Sequence, residues 1–365
     1  MKTLIKVGGR FLLKKILQKH KRLRLFLITG KKSYEKSGAS KIIDSLNSLE
    51  HFHRESISTQ TIEFEEVVKL KKNLIKNKSN VIVAIGGGAV IDMAKLVNIF
   101  NEKKKENIAL LSKRKKKSKF LPLYVLPTTS GTGSEETCFA TIYYKEKKYS
   151  IIHPKLRPTF SIVDPELCYS LPSFVTACSG FDAFSQCIES YWSISSTTRS
   201  RKYAAEGIDI IKNNLLNAVK GESNKSKQKM SRGANFSGKA INITKTTAPH
   251  ALSYEITRSL GLPHGYAVAL LIGRFFEINE KSQNVRYPMT LKKKRMRINK
   301  LFNLMGVSNG QEAQNQWYDL MKKCGLQTNF KILGLKDKKN IEKFIENVNL
   351  ERLQKHPIQL QKKEL

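Results

Sequence analysis

The stretch from Val81 to Lys95 reads VIVAIGGGAVIDMAK, and its pattern decides the fold class. An apolar run ends in three glycines, Gly86, Gly87 and Gly88, and an apolar helical pattern follows at once. A buried strand, a tight turn and a helix in this order are typical of a parallel sheet. The glycines let a phosphate approach the backbone, and the helix N-terminus offers it free N–H groups. By itself, however, such a turn is equally consistent with a plain strand-to-helix connection.

Two more apolar runs repeat this pattern in the first half of the chain. Leu25–Thr29 ends in Gly30, and Leu121–Leu126 ends in Pro127. Continuous apolar strands separated by helical stretches predict a Rossmann-like parallel-sheet domain covering residues 1–165. Ligands of such sheets bind at the carboxyl ends of the strands.

Beyond Asp164-Pro165 the strand signals nearly vanish. Amphipathic stretches predict an all-helical domain covering residues 166–365. The predicted helical stretches are Thr176–Trp192, Ser200–Val219, Lys239–Leu260, Gly265–Asn279, Gln311–Cys324 and Asn340–Asn349. The low-complexity segment Glu102–Lys119 is predicted to be an exposed loop.

Composition indicates a packed two-domain protein. The chain has 365 residues, of which 40% are hydrophobic and 26% charged. No apolar run is long enough to span a bilayer, and the first residues lack a secretory signal, so we expect a cytoplasmic protein without membrane association. The five cysteines form no CxxC pair, which disfavours a disulfide framework and favours buried small side chains.

The formal net charge of +36 is the most unusual property of the composition. Its lysines and arginines come in runs such as Lys103–Lys105, Lys113–Lys117 and Lys292–Arg295, beside polar loops and without interleaved aromatic residues. This pattern favours a solvated lysine-rich surface over a nucleic-acid-binding one, although a nucleic-acid-binding protein that has lost catalysis stays an alternative. The charge could also attract an anionic substrate.

A second turn rich in small polar residues follows a strand. It reads PTTSGTGSE from Pro127 to Glu135. Its hydroxyls and glycines suit hydrogen bonds to a phosphate, a ribose or a carboxamide, but Ser134 could equally cap a helix. Two such turns at strand ends of one sheet favour a dinucleotide site more than either turn does alone.

One carboxylate and two imidazoles stand in the helical half. Asp182 and Gln186 share one helix face, and His250 and His264 lie fourteen residues apart. This set suits Fe²⁺ or Zn²⁺, and a metal with an open position polarises a carbonyl for hydride attack. Spacing alone does not identify a site here, because an isolated histidine is more often a packed or surface residue.

Together these segments resemble the iron-containing alcohol dehydrogenase family. The family patterns GGGSxxDxAK, PTTxGTGSE, GxDAxxHxxE and HAxxHxLG…PHG correspond in order to GGGAVIDMAK, PTTSGTGSEE, GFDAFSQCIES and HALSYEITRSLGLPHG. The resemblance covers roughly residues 25–280. It implies a Rossmann-like domain and a helical bundle, with cofactor and metal in the cleft between them; we also expect a homodimer.

The resemblance assigns roles by position. The implied metal ligands are Asp182, Gln186, His250 and His264. The residues expected to bind the dinucleotide lie in the turns or near strand ends: Gly30, Gly86, Gly87, Gly88, Asp92, Thr128, Thr129, Ser134 and Lys148. Glu189, on the helix face of Asp182, is expected to be a hydrogen-bond partner or a substitute ligand.

Three departures from the family pattern are informative. Gln186 replaces the first histidine ligand, and an amide oxygen is a poorer ligand than imidazole for Fe²⁺ or Zn²⁺. Tyr254 replaces a non-ligand active-site histidine; a phenol could still donate a hydrogen bond, but with its ordinary pKa of about 10 a histidine-type proton relay is lost. Gly30, followed by Lys31 and Lys32, replaces an acidic residue that holds the ribose of NADH. A missing anion and added cations favour NADPH over NADH.

The departures resemble most the branch of the family that reduces phosphonoacetaldehyde to 2-hydroxyethylphosphonate. The segments TGKKSYEKSGA (Thr29–Ala39) and NITKTTAPHALSY (Asn242–Tyr254) support this. A phosphonate dianion needs cations and hydroxyls near the metal, so Lys245 and Tyr254 are the candidate catalytic residues. The other polar candidates in this stretch are Lys239, Thr246, Thr247 and Arg258. The alternative is a general alcohol or lactaldehyde-type dehydrogenase.

Overall fold

The computed structural model describes residues 2–44, 51–58, 61–100, 120–145, 147–334 and 353–360. The chain divides into two compact units: one comprises Met1–Thr129 and Gly133–Leu171, and the other Ser130–Thr132 and Pro172–Leu365. The first unit thus continues past the predicted boundary at 165. It does so because Leu167 is buried in the sheet-domain core. The predicted segments 102–119 and 340–349, with the lysine runs at 103–105 and 113–117, lie outside the described residues.

The first unit is built on a six-stranded, all-parallel sheet in the order β1-β8-β5-β4-β2-β3. Its strands are β1 (Lys2–Ile5), β2 (Leu25–Gly30), β3 (Phe52–Ile57), β4 (Val81–Gly86), β5 (Leu123–Pro127) and β8 (Phe160–Val163), and a separate antiparallel hairpin joins β6 (Phe139–Tyr144) to β7 (Lys147–Ile152). The three predicted strands are the adjacent buried strands β2, β4 and β5. The sequence prediction missed β3 because this strand lies at the sheet edge and is half exposed.

Side chains of the central strands alternate between two core clusters. Phe26 and Ile28 of β2 lie in one cluster, and Leu25 and Leu27 lie in the other. Because successive side chains of a strand point to opposite faces, both faces of the sheet are covered. The helices of this unit are α1 (Leu12–Leu17), α2 (Ser33–Lys36), α3 (Ser40–Asp44), α4 (Phe64–Lys76) and α5 (Gly88–Ile99).

The second unit is helical in its described residues. Its helices are α6 (Ser173–Trp192), α7 (Thr198–Lys220), α8 (Asn224–Thr244), α9 (Ala248–Leu260), α10 (His264–Lys281), α11 (Leu291–Met305) and α12 (Gly310–Lys323). Helix α6 is buried along most of its length and packs against α7, α8 and α10. Trp192, Phe276 and Trp317 belong to the hydrophobic core of this unit. The predicted architecture, a parallel-sheet domain followed by a helical bundle, is confirmed.

Two sequence predictions about helices were wrong in detail. The stretch Lys239–Leu260 is not one helix, because α8 ends at Thr244 and α9 begins only at Ala248, with a proline in its first turn. The basic run Lys292–Arg295, predicted to be solvated surface, lies in the first turn of α11, where Lys294 is buried. Of the described helices, none is long and apolar enough to cross a membrane. All five cysteines are unpaired, and only Cys138 is not fully buried.

Candidate metal centre and cofactor turns

The glycine turn after β4 has the geometry of an anion site. A Cβ on Gly86 would lie 2.4 Å from a Val90 methyl, so only glycine permits this close strand-to-helix connection. Gly87 is the residue before α5, and no side chain caps the helix there. Gly88 begins the helix. The first N–H groups of α5 are therefore left to a ligand or to water, with the positive end of the helix dipole beside them.

The second turn lies beside the first. The Thr128 amide donates to the Gly86 carbonyl at 3.0 Å. The position of a Cβ on Gly87 would be 3.4 Å from the Thr129 methyl. Thr128 is buried, and its hydroxyl has no hydrogen-bond partner among the described residues. The turns after β4 and β5 thus meet at one sheet edge, as the parallel pairing of these strands predicts.

Asp92 and Ser134, both expected to bind the cofactor, are bonded to each other instead of standing apart. Ser134 Oγ donates to Asp92 Oδ1, and the Thr141 amide donates to Asp92 Oδ2 at 3.2 Å. Lys95 is fully buried, and its Nζ donates to Ser134 Oγ at 2.7 Å and to Thr137 Oγ1 at 2.9 Å. Burial lowers the pKa of Lys95, although Asp92 opposes this effect. Lys95 was missed as a site residue, and its fixed place after Asp92 was the available signal.

The remaining expected cofactor residues lie at strand ends of the same unit. Gly30 ends β2, and Lys31 and Lys32 are exposed directly after it. Lys148 is half-buried on β7, with Nζ 5.8 Å from the centre of the Tyr143 ring. Their contacts to a dinucleotide stay predictions.

The helical unit brings Asp182, His250 and His264 together. One ligand atom of each residue lies within 4.8 Å of the others. Asp182 lies on α6, His250 on α9, and His264 is the first residue of α10. His250 Nε2 is 3.3 Å from Asp182 Oδ1, and the imidazole rings of His250 and His264 are 5.3 Å apart between centres.

The donor atoms of this cluster fit a divalent metal. Asp182 Oδ1 and His250 Nε2 are buried and have no hydrogen-bond partner among the described residues. Buried polar atoms are normally satisfied, and these two face each other at 3.3 Å, so both could ligate one cation. One carboxylate oxygen and two imidazole nitrogens are ligands that Fe²⁺ and Zn²⁺ accept.

Gly265 lets α10 approach α6 closely enough to form the cluster. A Cβ at this position would lie 2.1 Å from the Cys178 carbonyl and 2.7 Å from the Asp182 Cβ. Any side chain would therefore push the start of α10, and His264 with it, away from Asp182. This close approach explains why the PHG segment has a glycine after His264.

The carboxylates around His250 control the charge of the cluster. Burial alone would lower the pKa of His250, but Glu189 and Asp182 outweigh it and raise the pKa to about 9. Burial alone would raise the pKa of Asp182, but His250 and His264 outweigh it and lower the pKa. Asp182 is thus deprotonated, as a carboxylate must be to bind a metal.

Gln186 stands beside Asp182 with its amide held by α8. The buried Ser237 hydroxyl lies 2.9 Å from Gln186 Oε1 and 2.7 Å from the Ala234 carbonyl. The Gln186 amide also helps to lower the pKa of Asp182. The amide therefore bridges the metal cluster and a polar contact on the next helix.

Of the two candidate catalytic residues, Tyr254 contacts the cluster and Lys245 has an unusual backbone conformation. The Tyr254 ring stacks on the His264 ring, with centres 5.1 Å apart and planes at 7°. Lys245 lies directly after α8 at φ 62° and ψ −179°, a conformation that is almost restricted to glycine. Among the other predicted polar candidates, Arg258 forms an ion pair with Glu255 at 2.9 Å.

Comparison with known proteins agrees with this arrangement. The iron-containing alcohol dehydrogenase profile matches residues 2–165, and the C-terminal profile of the Fe-containing alcohol dehydrogenase family matches residues 176–365. Alcohol dehydrogenase 4 of Saccharomyces cerevisiae is 31% identical over 270 residues, which are 73% of this chain and 68% of the yeast protein. The phosphonoacetaldehyde reductase of Streptomyces viridochromogenes is 31% identical over 231 residues, which are 59% of this chain and 57% of that protein.

Solved structures with a similar fold include members of the same family. The sulfoacetaldehyde reductase of Bifidobacterium kashiwanohense, solved in complex with NAD⁺, has a TM-score of 0.86 and 26% identity, covering 100% of this chain and 94% of that one. An iron-containing alcohol dehydrogenase of Thermotoga maritima has a TM-score of 0.81 and 25% identity, with 100% and 95% coverage.

The chain belongs to the iron-containing alcohol dehydrogenase family. As a member of this family it is an oxidoreductase that interconverts an alcohol and an aldehyde. The predicted family and enzyme class are therefore confirmed.

Proposed function

We propose that this enzyme reduces a small anionic aldehyde, with phosphonoacetaldehyde as the first candidate, to its alcohol at the expense of NADPH. The observation that carries the proposal is the cluster of Asp182, His250 and His264, in which one atom each of Asp182 and His250 is buried without a hydrogen-bond partner among the described residues. Two relatives support the anionic substrate, because they are named for aldehydes that bear a phosphonate and a sulfonate.

Asp182, His250 and His264 would hold an Fe²⁺ or Zn²⁺ ion. When bound, the ion supplies positive charge that polarises a carbonyl and stabilises a developing alkoxide. Gln186 would add its amide oxygen. Because the Ser237 hydroxyl has one proton and the Ala234 carbonyl is the nearer acceptor, an amide turned by 180° would donate its N–H to Ser237. Its oxygen would then face Asp182.

Lys245 would recognise the anionic end of the substrate. A lysine in a conformation reserved for glycine costs about 1–3 kcal/mol, and such strain persists where function requires the side chain. Lys245 follows helix α8 and stands five residues before the ligand His250. Tyr254, stacked on His264, would supply the proton to the alkoxide or orient the water that does.

NADPH is proposed over NADH from the residues after β2. Lys31 and Lys32 are exposed cations behind Gly30, where an acidic side chain would repel a 2′-phosphate. A homodimer and a cytoplasmic location stay predictions.

A general alcohol dehydrogenase is the second candidate, favoured by the identity to yeast alcohol dehydrogenase 4. One experiment separates the candidates: oxidation of NADPH and of NADH with phosphonoacetaldehyde, sulfoacetaldehyde, lactaldehyde and acetaldehyde at matched concentrations. The proposal requires the highest kcat/KM with phosphonoacetaldehyde and NADPH. A higher kcat/KM with acetaldehyde or lactaldehyde supports the general dehydrogenase and overturns the anionic substrate.

A further inference from the structure

Glu189 is a carboxylate in the middle of the helical core. It lies on α6 and its side chain is fully buried. A buried carboxylate is costly unless hydrogen bonds compensate its charge. Both carboxylate oxygens of Glu189 therefore need hydrogen-bond donors from the surrounding residues.

Both oxygens of Glu189 are engaged, and all contacts point to the start of α9. Oε1 accepts from the Thr247 amide at 3.1 Å, from the Thr247 hydroxyl at 2.8 Å and from the His250 amide at 3.3 Å. Oε2 contacts His250 Nδ1. Glu189 is thus not available as a substitute metal ligand.

A donor chain fixes the direction of these bonds. Trp192 Nε1 donates to Thr247 Oγ1 at 2.9 Å. An indole N–H only donates, so the Thr247 hydroxyl must use its proton toward Glu189. Trp192 and Thr247 therefore form one directed sequence of hydrogen bonds that ends at Glu189 Oε1, while Glu189 Oε2 faces His250 Nδ1.

This sequence determines which nitrogen of His250 faces the cluster. A carboxylate accepts and does not donate, so Glu189 places a proton on Nδ1. In the neutral ring, the form that binds a metal, the lone pair is then on Nε2, which is 3.3 Å from Asp182 Oδ1. A histidine ligand needs this tautomer, and an oriented imidazole binds a metal without first losing rotational freedom.

We propose that Glu189 is a positioning residue: held by Thr247 and Trp192, it sets the ring orientation and tautomer of His250 and thereby the affinity of the site for its metal. The proposal rests on the metal site of the proposed function and not on the identity of the aldehyde.

The test measures metal affinity directly. Metal-free wild type, Glu189→Gln and Thr247→Val are titrated with Zn²⁺ and Co²⁺ against a fluorescent chelator, after circular dichroism has shown that each variant is folded. Glu189→Gln is expected to weaken binding about 10- to 100-fold. Thr247→Val keeps the backbone bond and loses both hydroxyl bonds, to Glu189 and from Trp192, so we expect a loss of about 2- to 10-fold.

Two further readouts separate positioning from a merely structural role. The visible spectrum of the Co²⁺-loaded protein should change in Glu189→Gln, because the ligand geometry changes. Glu280→Gln serves as the matched control: Glu280 lies in the same unit and accepts from the Gly310 amide, away from the cluster. It should leave both the affinity and the spectrum unchanged.

The outcomes are distinct. If Glu189→Gln and Thr247→Val lower the melting temperature but leave the metal dissociation constant and the Co²⁺ spectrum as in wild type, Glu189 is only structural and the proposal fails. If Glu189→Gln does not fold, the affinity of Thr247→Val decides alone. If wild type itself binds neither ion, the metal site of the proposed function fails together with this proposal.

Discussion

Lys245 combines backbone strain with the proposed recognition of the substrate. Replacing it with glycine should relieve about 1–3 kcal/mol of strain, of which the entropy of glycine offsets about 0.5–1 kcal/mol. We expect Lys245→Gly to melt at a higher temperature than wild type while its KM for phosphonoacetaldehyde rises about tenfold or more, since an ion pair to a dianion is lost. Calorimetry and steady-state kinetics measure both.

Lys245→Met separates the two effects. It removes the charge but keeps a side chain at the strained position, so the KM should rise without the gain in melting temperature. The KM for acetaldehyde should change little in both variants. Arg258→Met is the control, because Arg258 pairs with Glu255 on the surface. An equal rise of both KM values in Lys245→Met would refute anion recognition by this residue.

Gln186 marks the chain's clearest departure from its family. Gln186→His should restore a third imidazole and tighten Zn²⁺ binding, because imidazole is the better ligand for zinc. Gln186→Ala is the matched variant, expected to bind more weakly than wild type if the amide oxygen ligates. Chelator competition measures all three proteins. Equal affinity of wild type and Gln186→Ala would exclude Gln186 from the ligands.

At the scale of elements, Lys294 ties α11 to the end of α10. Its buried Nζ donates to the carbonyls of Asn279 at 2.7 Å and Glu280 at 2.9 Å, and to that of Ser282. Lys294→Met leaves these carbonyls unpaired, so the free energy of unfolding should fall by about 2–4 kcal/mol. Lys293→Met, on the exposed face of α11, should change it by less than about 0.5 kcal/mol. Similar effects in urea denaturation would contradict this role.

His356 makes the helical core sensitive to acid. It is fully buried against the rings of Trp192 and Phe275, and burial, with the nearby Arg286, lowers its pKa from 6.5 to about 3. The unfolded chain therefore takes up a proton that the folded chain excludes. This contribution to stability is complete above about pH 6.5 and is lost as the pH falls toward about 3.

The lost stability at the acid end amounts to at most about 5 kcal/mol. His356→Phe keeps an aromatic ring without the titrating group. Its unfolding free energy should fall less steeply than that of wild type between pH 6.5 and 4, as measured by denaturant titration. Parallel curves for the two proteins would show that His356 does not set the acid sensitivity.

The predictability of these elements followed their burial and periodicity. Strands β2, β4 and β5 are buried continuously, and their apolar runs are visible in the sequence. The interruption after Thr244 was missed because apolar spacing continues through it into α9. Helix α11 was missed because its charged run hides the buried positions Ile298 and Leu301.

At the scale of the whole molecule, the site was predictable only through the family resemblance. The spacing of Asp182, His250 and His264 carries no signal, because their proximity depends on packing of three helices and on Gly265. The contacts of Glu189 with Thr247 and of Gln186 with Ser237 join residues far apart in the chain. Local sequence patterns do not predict contacts between residues that are far apart in the chain.

The net charge of +36 is a property of the whole chain and is the sole feature favouring a nucleic-acid function. A steep loss of nucleic-acid binding with added salt would be its signature. For the proposed enzyme the same charge predicts a smaller effect: kcat/KM for an anionic aldehyde should fall as ionic strength rises, while that for a neutral aldehyde stays nearly constant.

The proposed enzyme reduces an anionic aldehyde with NADPH and requires a bound metal ion. The most direct test is NADPH oxidation with phosphonoacetaldehyde by purified protein whose metal content is measured before stripping, after stripping with a chelator, and after reloading with Fe²⁺ or Zn²⁺. We predict about one metal ion per chain, loss of turnover on stripping and recovery on reloading. Full turnover by the metal-free protein would contradict the proposed requirement for a metal.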